Sequence, residues 1–404
     1  MYFKLAWKNL WRNKKRTLIV SASVFSAVVA ACIMRSAQLG SYSYMIESSA
    51  KMQTGYLQVQ GAGFRENHSP DKSIILSHGQ MDSLKLIKGV TSLIPRFEAF
   101  ALLSNDTITK AAPVVGIDPF AENELSNLDS KLIKGSYLTA NSKGILLAEG
   151  LARRLKVNTG DSLILLGSGL HGQTAAANLE VTGIVKLSLP LLNNSFSYLS
   201  LPVSREIFAA PMRITSLAIM IDNVHNLHAI KDNVRKLFNK DYNVLTWDEM
   251  MPELQQSIQL DNASGLIMIG ILYLVIAFGI LGTIMMMTTE REKEFGILYA
   301  VGMKKIKLIG VSVIESVMVS ILGVLAGVIL SIPITLYLEK NPIPVSGELA
   351  KTWESLGIEA IMPFSAELSI FFWQSVIIII IALICAIYPL IFIGSLNPVN
   401  ALHK

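Results

Sequence analysis

Two cysteines occur in 404 residues, Cys32 and Cys385, and both fall inside long apolar runs. A disulfide framework is therefore excluded for the polar part of the chain, which has to hold itself together by burying a core. No G-x-x-x-x-G-K-[ST] is present, so the chain has no P-loop with which to hydrolyse ATP. H-E-x-x-H and G-x-S-x-G are missing as well. His225 and His228 stand three residues apart, but no cysteine or carboxylate cluster accompanies them, and no metal site is expected. GSGLHG (Gly167 to Gly172) satisfies G-x-G-x-x-G, yet QTAAAN and another strand follow where a dinucleotide site needs a helix. It reads as a hairpin loop. Charge is scarce too, at 16% of residues.

What is present in quantity is apolar: 51% of residues, with a mean hydropathy of +0.48, which places the chain in a membrane. Four runs reach spanning length: Thr17 to Met34, Ala263 to Thr289, Leu308 to Leu338 and Leu368 to about Leu396. The third contains Glu315, and the other three contain no Asp, Glu, Lys or Arg. The first is read as an uncleaved anchor, because no small-x-small cleavage site follows a short apolar core. Lys4, Lys8, Arg12, Lys14, Lys15 and Arg16 precede it with no acid among them, which holds that end in the cytoplasm. Lys4, Lys8 and Arg12 share one face of an amphipathic surface helix. The loop at 339–367 carries five glutamates against two lysines and falls outside. The net charge of +5 is then an orientation signal, and no nucleic-acid partner is expected.

Between the second and third runs lies a charged island, Met287 to Lys307 (MTTEREKEFGILYAVGMKKIK). Glu290, Glu292 and Glu294 lead and Lys304, Lys305 and Lys307 close, the order that a helix dipole favours. Phe295, Leu298, Tyr299 and Met303 recur at helical spacing as one apolar face, bracketed by Gly296 and Gly302. From the residues alone two readings stand: a solvated cytoplasmic loop, or a short surface helix available for docking.

The wording ER-x-KE-F-GIL-x-A-x-G resembles the segment between spans two and three in ABC-transporter permeases of the MacB, FtsX and LolC/LolE superfamily. Further strings extend the resemblance over nearly the whole chain: GIDPFAENELSNLDSKLIKGSYL (Gly116 to Leu138), GILLAEGLARRLKVNTGDSLIL (Gly144 to Leu165), VTGIV, and a closing YP with SLNPVNALHK. The first resembles the lipoprotein-releasing LolC/LolE branch most. The resemblance implies a coupling helix on Glu290, Glu294, Phe295, Gly296, Leu298, Tyr299 and Gly302 that docks on a cytoplasmic ATPase dimer. That ATPase binds the ATP and Mg, and this chain is a non-catalytic permease without a cofactor of its own. A second permease, the same or different, is implied, as is extraction of lipoproteins from the outer leaflet of the inner membrane. Membrane lipid and a periplasmic carrier are further expected partners. The alternatives are a MacB-like exporter and an FtsX-like regulator of a cell-wall hydrolase.

The fold class expected is four transmembrane helices plus an α+β extracytoplasmic domain, a ferredoxin-like α/β lobe with an inserted mainly-β lobe. The boundaries are 1–16 for the amphipathic helix, 17–40 for span one, 41–262 for the external domain with helical stalks, and about 114–203 for the inserted lobe. Span two takes 263–289, the coupling helix 290–307, span three 308–338, the external loop 339–367, span four 368–396 and the cytoplasmic tail 397–404. The two-lobe reading rests on two strand-helix-strand units. One has Leu57 and Val59 alternating in a strand, and the other pairs Ser216 to Asp222 with a helix on Leu227, Ile230 and Val234.

Span three sets Ser316, Ser320, Gly323, Gly327 and Ser331 on one strip, with Gly323 and Gly327 as a close-packing pair. Glu315, about 12 Å along the helix from Lys307, is either a structural partner for a lysine of the island or a proton or ion site. A substrate groove is expected on Met34 and Leu39 of span one and Ile267, Ile271 and Leu274 of span two.

Overall fold

The computed structural model describes residues 7, 10–12, 14–187, 190–348, 350 and 360–395. Most of the expected amphipathic helix, Glu354 and Glu359 of the acidic loop, and the closing NPVNALHK lie outside the described residues. Contacts divide the chain into two units: residues 1–44, 256–344 and 361–404 form one, residues 45–255 and 345–360 the other.

The first unit is helical, and four of its helices are long and apolar enough to cross a membrane. α1 runs Lys14–Ser49. Its 36 residues exceed the roughly 20 that a bilayer needs. In the second unit, α2 (His78–Lys85), α3 (Pro119–Ser126), α4 (Glu149–Leu155), α5 (Leu201–Ile207) and α6 (Leu227–Arg235) are short. The long helices resume with α7 (Pro252–Thr289), then a short α8 (Glu292–Ala300), then α9 (Lys305–Lys340). The last apolar run is two helices, α10 (Leu368–Cys385) and α11 (Ile387–Gly394). The break follows from Pro389, which has no N–H to offer the Cys385 carbonyl and whose ring crowds it.

Val24 and Val28 of α1, Ile276 and Ile280 of α7, Val324 of α9 and Ile378 of α10 make the bundle core. Gly323 and Gly327 sit against α1: a Cβ on Gly323 would come within 2.7 Å of Val24, and one on Gly327 within 2.7 Å of Val28. The small-residue strip thus packs α9 on α1 within one chain. Its serines cost nothing in an apolar medium, because Ser316, Ser320 and Ser331 each donate to the carbonyl four residues back.

The second unit is built on strands β1 (Leu57–Gly61), β2 (Val90–Asn105), β3 (Ile108–Ile117), β4 (Leu132–Gly135), β5 (Ile145–Ala148), β6 (Ser162–Ser168), β7 (Thr174–Val185), β8 (Ser197–Ser200), β9 (Ser216–Ile221) and β10 (Tyr242–Thr246). One end of the sheet has the order β10-β1-β9-β2, antiparallel throughout, with α2 between β1 and β2 in sequence and α6 between β9 and β10. The 16-residue β2 then leaves this layer. Its first half pairs with β9; its second half pairs with β3 on one edge and β6 on the other. Through β3-β8-β5-β7-β6 the pairing returns to β2 and closes a six-stranded barrel. Closure removes the free edges that an inserted sheet would otherwise expose.

The barrel therefore starts inside β2, ahead of the boundary expected at about 114, and the two lobes share a strand. Phe97, Leu103, Leu147, Leu163, Leu165 and Phe208 fill it. Ile145–Ala148 is buried on both faces, because Leu146 and Ala148 join a second core with Val185 and Tyr198. Leu147 belongs to this strand, and the helix that follows begins at Glu149. GSGLHG is the turn between β6 and β7.

The segment GIDPFAENELS is explained by its cap. Asp118 accepts from the Phe120 and Ala121 N–H groups and Pro119 opens α3. This turns Glu122 inward, where both its oxygens meet Arg96 of β2, at 2.9 Å from Nε and 2.7 Å from Nη2. Burial alone would lower the Arg96 pKa, but Glu122 outweighs it and holds the guanidinium above its ordinary value. Burial, with the Glu122 charge added, pushes the Tyr198 and Tyr137 phenols up.

Candidate functional site

The island between α7 and α9 is assembled by its backbone first. Arg291 is the residue ahead of α8, and Glu292 and Glu294 lie in the first turn, where the dipole favours acids. At the other end the Gly302 N–H bonds the Tyr299 carbonyl and the Met303 N–H bonds the Leu298 carbonyl. That is the Schellman pattern, and it requires the φ of +101° that Gly302 adopts. A Cβ on Gly302 would meet nothing within 4 Å, so glycine is demanded there by torsion and not by space.

Arg291 anchors the segment. Its Nη1 lies 2.5 Å from Glu315 Oε2, its Nε 3.1 Å from Glu294 Oε2, and its guanidinium carbon 5.1 Å from the Phe295 ring centre. The Arg291 and Glu315 side chains are only 9% and 7% exposed, so this is a buried ion pair joining the island to α9. Glu294 also accepts from Arg12 Nη2 at 2.6 Å. Phe295 packs with Leu308 of α9 and Ile393 of α11, flanked by Tyr299 and Met303. Lys305 completes the anchorage, donating to the Gly394 carbonyl at 2.9 Å with its ammonium 5.3 Å from the Tyr299 ring centre.

The expected docking face therefore divides. Phe295 and Gly296 are buried and Tyr299 half-buried against the chain's own helices, so these residues hold α8 in place. The side chains left outward are Ile297 (52% exposed), Leu298 (41%) and Val301 (83%). Helical spacing gathers Phe295, Leu298 and Tyr299 together but does not say which edge of that arc meets the bundle. Of the expected set, Leu298 faces out and Glu290 is exposed. The partner of Glu315 is Arg291 and not a lysine of the island. Sequence reasoning passed over Arg291, although it is the one arginine of the island.

The expected groove residues differ in exposure. Ile267, Ile271 and Leu274 stand well exposed along α7, whereas Met34 and Leu39 are half-buried on α1. What joins the two helices here is polar. Arg35 Nη1 reaches Gln38 Oε1 at 2.6 Å and Asn262 Oδ1 at 3.1 Å, and Tyr42 donates to Asp261 Oδ2 at 2.6 Å. Gly265 lets Gln38 approach, since a Cβ there would fall 1.7 Å from its Nε2.

Residues 266–398, which contain α8, α9 and the buried Arg291–Glu315 pair, match the FtsX-like permease C-terminal family. This region is similar to an FtsX-like permease C-terminal domain. The chain is also similar to the lipoprotein-releasing system transmembrane protein LolC of Xylella fastidiosa, 23% identical over 258 residues that cover 62% of each chain. With the macrolide export ATP-binding/permease protein MacB of Agrobacterium fabrum the identity is 21% over 350 residues, covering 82% of this chain and 52% of that protein. A crystal structure of the periplasmic region of MacB from Actinobacillus actinomycetemcomitans aligns with a TM-score of 0.35 and 15% identity, over 50% of this chain and 92% of that one. The permease domain thus covers three of the four long apolar helices and the island between them.

Proposed function

We propose that this chain is the membrane subunit of an ATP-driven ABC complex that draws lipoproteins from the outer leaflet of a bacterial inner membrane. A separate cytoplasmic ATPase dimer, which holds the ATP and Mg, docks on α8, and a second permease completes the membrane part. The termini and α8 lie in the cytoplasm, and the sheet-and-barrel unit lies in the periplasm. The order β10-β1-β9-β2, with α2 and α6 as crossovers, supports reading one lobe as ferredoxin-like. The observation that carries the proposal is the two-sided character of α8: its back is fixed through Arg291–Glu315 and Phe295, while Ile297, Leu298 and Val301 stand exposed. A helix so held passes a push from a docked partner into α9. An exporter of the MacB kind is the second reading, favoured by a similarity that spans 82% of this chain.

The test replaces Leu298 and Val301 by aspartate. Membrane insertion should persist while co-purification with the ATPase and stimulation of its turnover fall away; normal stimulation would reduce α8 to a loop. A cysteine at Asp106 should react with an impermeant reagent in intact cells and one at Lys305 should not. Liposomes carrying the complex and a lipoprotein should release that lipoprotein on ATP addition. An active ATPase without release moves the assignment to the exporter.

A further inference from the structure

The uncharged run Thr17 to Met34 stops immediately before Arg35, and the uncharged run Ala263 to Thr289 starts immediately after Asn262. Arg35 Nη1 donates to Asn262 Oδ1, so the two residues stand at one depth, where both spans pass from hydrocarbon into the level of the lipid headgroups. From Thr17 to Ala50 and from Asp241 to Glu290, Arg35 is the one basic residue.

An arginine at that depth calls for an anion, and the chain does not supply one. Nη1 is engaged by two neutral oxygens, Gln38 Oε1 at 2.6 Å and Asn262 Oδ1 at 3.1 Å, while Nε and Nη2 have no protein partner among the described residues. Asp261, next to Asn262 on α7, is given to a phenol instead: Tyr42 donates to its Oδ2 at 2.6 Å. Gln38 Nε2 donates to the Tyr42 hydroxyl at 2.8 Å and so links the two halves. Asp261 Oδ1 has no protein partner among the described residues. Two acids at this end of α9 and α10 are engaged within their own segment, Glu339 by the Ala366 N–H at 3.0 Å and Glu367 by the Ser369 hydroxyl at 3.2 Å.

A positive and a negative group are thus joined through Gln38 and Tyr42 without pairing with each other. Arg35 is half-buried and Asp261 exposed. A headgroup that carries both a phosphate and an ammonium answers both. Its phosphate takes Nε and Nη2 as a fork, the geometry that distinguishes arginine from lysine, and its ammonium meets the free oxygen of Asp261. A purely anionic headgroup answers Arg35 alone and sets its charge beside a carboxylate. Along α7 from Asn262, Leu266 is 54% exposed and a Cβ on Gly270 would meet nothing within 4 Å, which leaves an apolar strip for an acyl chain.

We propose that Arg35 and Asp261 form a binding site for a zwitterionic phospholipid with a primary ammonium headgroup, its phosphate on Arg35 and its ammonium on Asp261. The orientation proposed above puts this lipid in the outer leaflet. The site itself involves neither the ATPase nor the cargo, so the inference and the proposed function stand or fall separately.

The experiment titrates the full chain in detergent with dioleoylphosphatidylethanolamine, dioleoylphosphatidylglycerol or dioleoylglycerol and counts bound lipid by native mass spectrometry. The wild type should hold one phosphatidylethanolamine about tenfold more tightly than phosphatidylglycerol, and diacylglycerol without saturation. Arg35→Gln should weaken phosphatidylethanolamine about tenfold, the lower end of what a hydrogen bond to a charged group is worth. Asp261→Asn should bring phosphatidylethanolamine down to phosphatidylglycerol and leave the latter no weaker. If a variant fails to insert, the wild-type ranking decides: phosphatidylethanolamine ahead of the other two supports the site. Phosphatidylglycerol held as tightly as phosphatidylethanolamine, or all three retained equally, overturns it. Phosphatidylethanolamine binding unchanged in Arg35→Gln or in Asp261→Asn does the same.

Discussion

Among the described residues two arginines are buried against carboxylates, Arg96 and Arg291, and the two are held differently. Arg96 meets both oxygens of Glu122, with the side chains 4% and 3% exposed, inside the sheet-and-barrel unit. Arg291 gives one nitrogen to the buried Glu315 and another to Glu294, which is 41% exposed and is itself shared with Arg12. The first pair fastens α3 to β2, with both side chains almost fully buried. The second is the inner end of a charged chain that reaches the surface on the segment proposed to meet the ATPase. A pair of the first kind serves the fold, whereas a pair of the second kind is placed to transmit.

The largest effect is expected from opening the closed pair. Arg96→Met or Glu122→Gln leaves a buried charge without its counterpart and should cost about 3–5 kcal/mol in denaturant or thermal unfolding of the full chain. Arg96→Met combined with Glu122→Leu removes both charges and should recover most of that loss. Single variants within about 1 kcal/mol of wild type would show the pair to be solvated, and the contrast between the two arginines would disappear.

Glu315→Gln comes next. Glutamine keeps the shape and one hydrogen bond but leaves Arg291 without its full countercharge. Insertion and ATPase co-purification should survive, while stimulated turnover drops about tenfold, the worth of a charge-assisted hydrogen bond reduced to a neutral one. Replacing Arg291 and Glu315 together by methionine should restore thermal stability and leave coupling poor. Recovery of both together would make this pair as purely structural as Arg96–Glu122.

The two pairs were unequally legible in the sequence. Spans were plain, because runs of some 20 residues without charge have few other readings, and the island stood out as charge between two of them. The strip of Gly323 and Gly327 was also readable, since only small residues permit the approach now seen to Val24 and Val28. Arg96 and Glu122 were not, being 26 residues apart, one in an alternating strand and the other in a capped helix, joined only once the barrel closes. The inward turn of Phe295 depends on where α9 and α11 stand, which the period of α8 does not encode.

The smallest effect is expected at the outer end of the charged chain, and it separates packing from transmission most cleanly. Arg12 and Glu294 are 60% and 41% exposed, so their pair should contribute about 0–1 kcal/mol and fade with added salt. Glu294→Gln and Arg12→Gln should each leave unfolding nearly unchanged, and the double variant should cost no more than the larger single one, because both remove the same interaction. Removing Glu294 also takes from Arg291 its outer acceptor while Glu315 remains, so ATPase stimulation should fall by more than the stability change implies. A stability loss near that of Glu122→Gln would mean the chain from Arg291 outward is closed after all. Equal stimulation in wild type and Glu294→Gln would confine transmission to Arg291, Glu315 and the packing of Phe295.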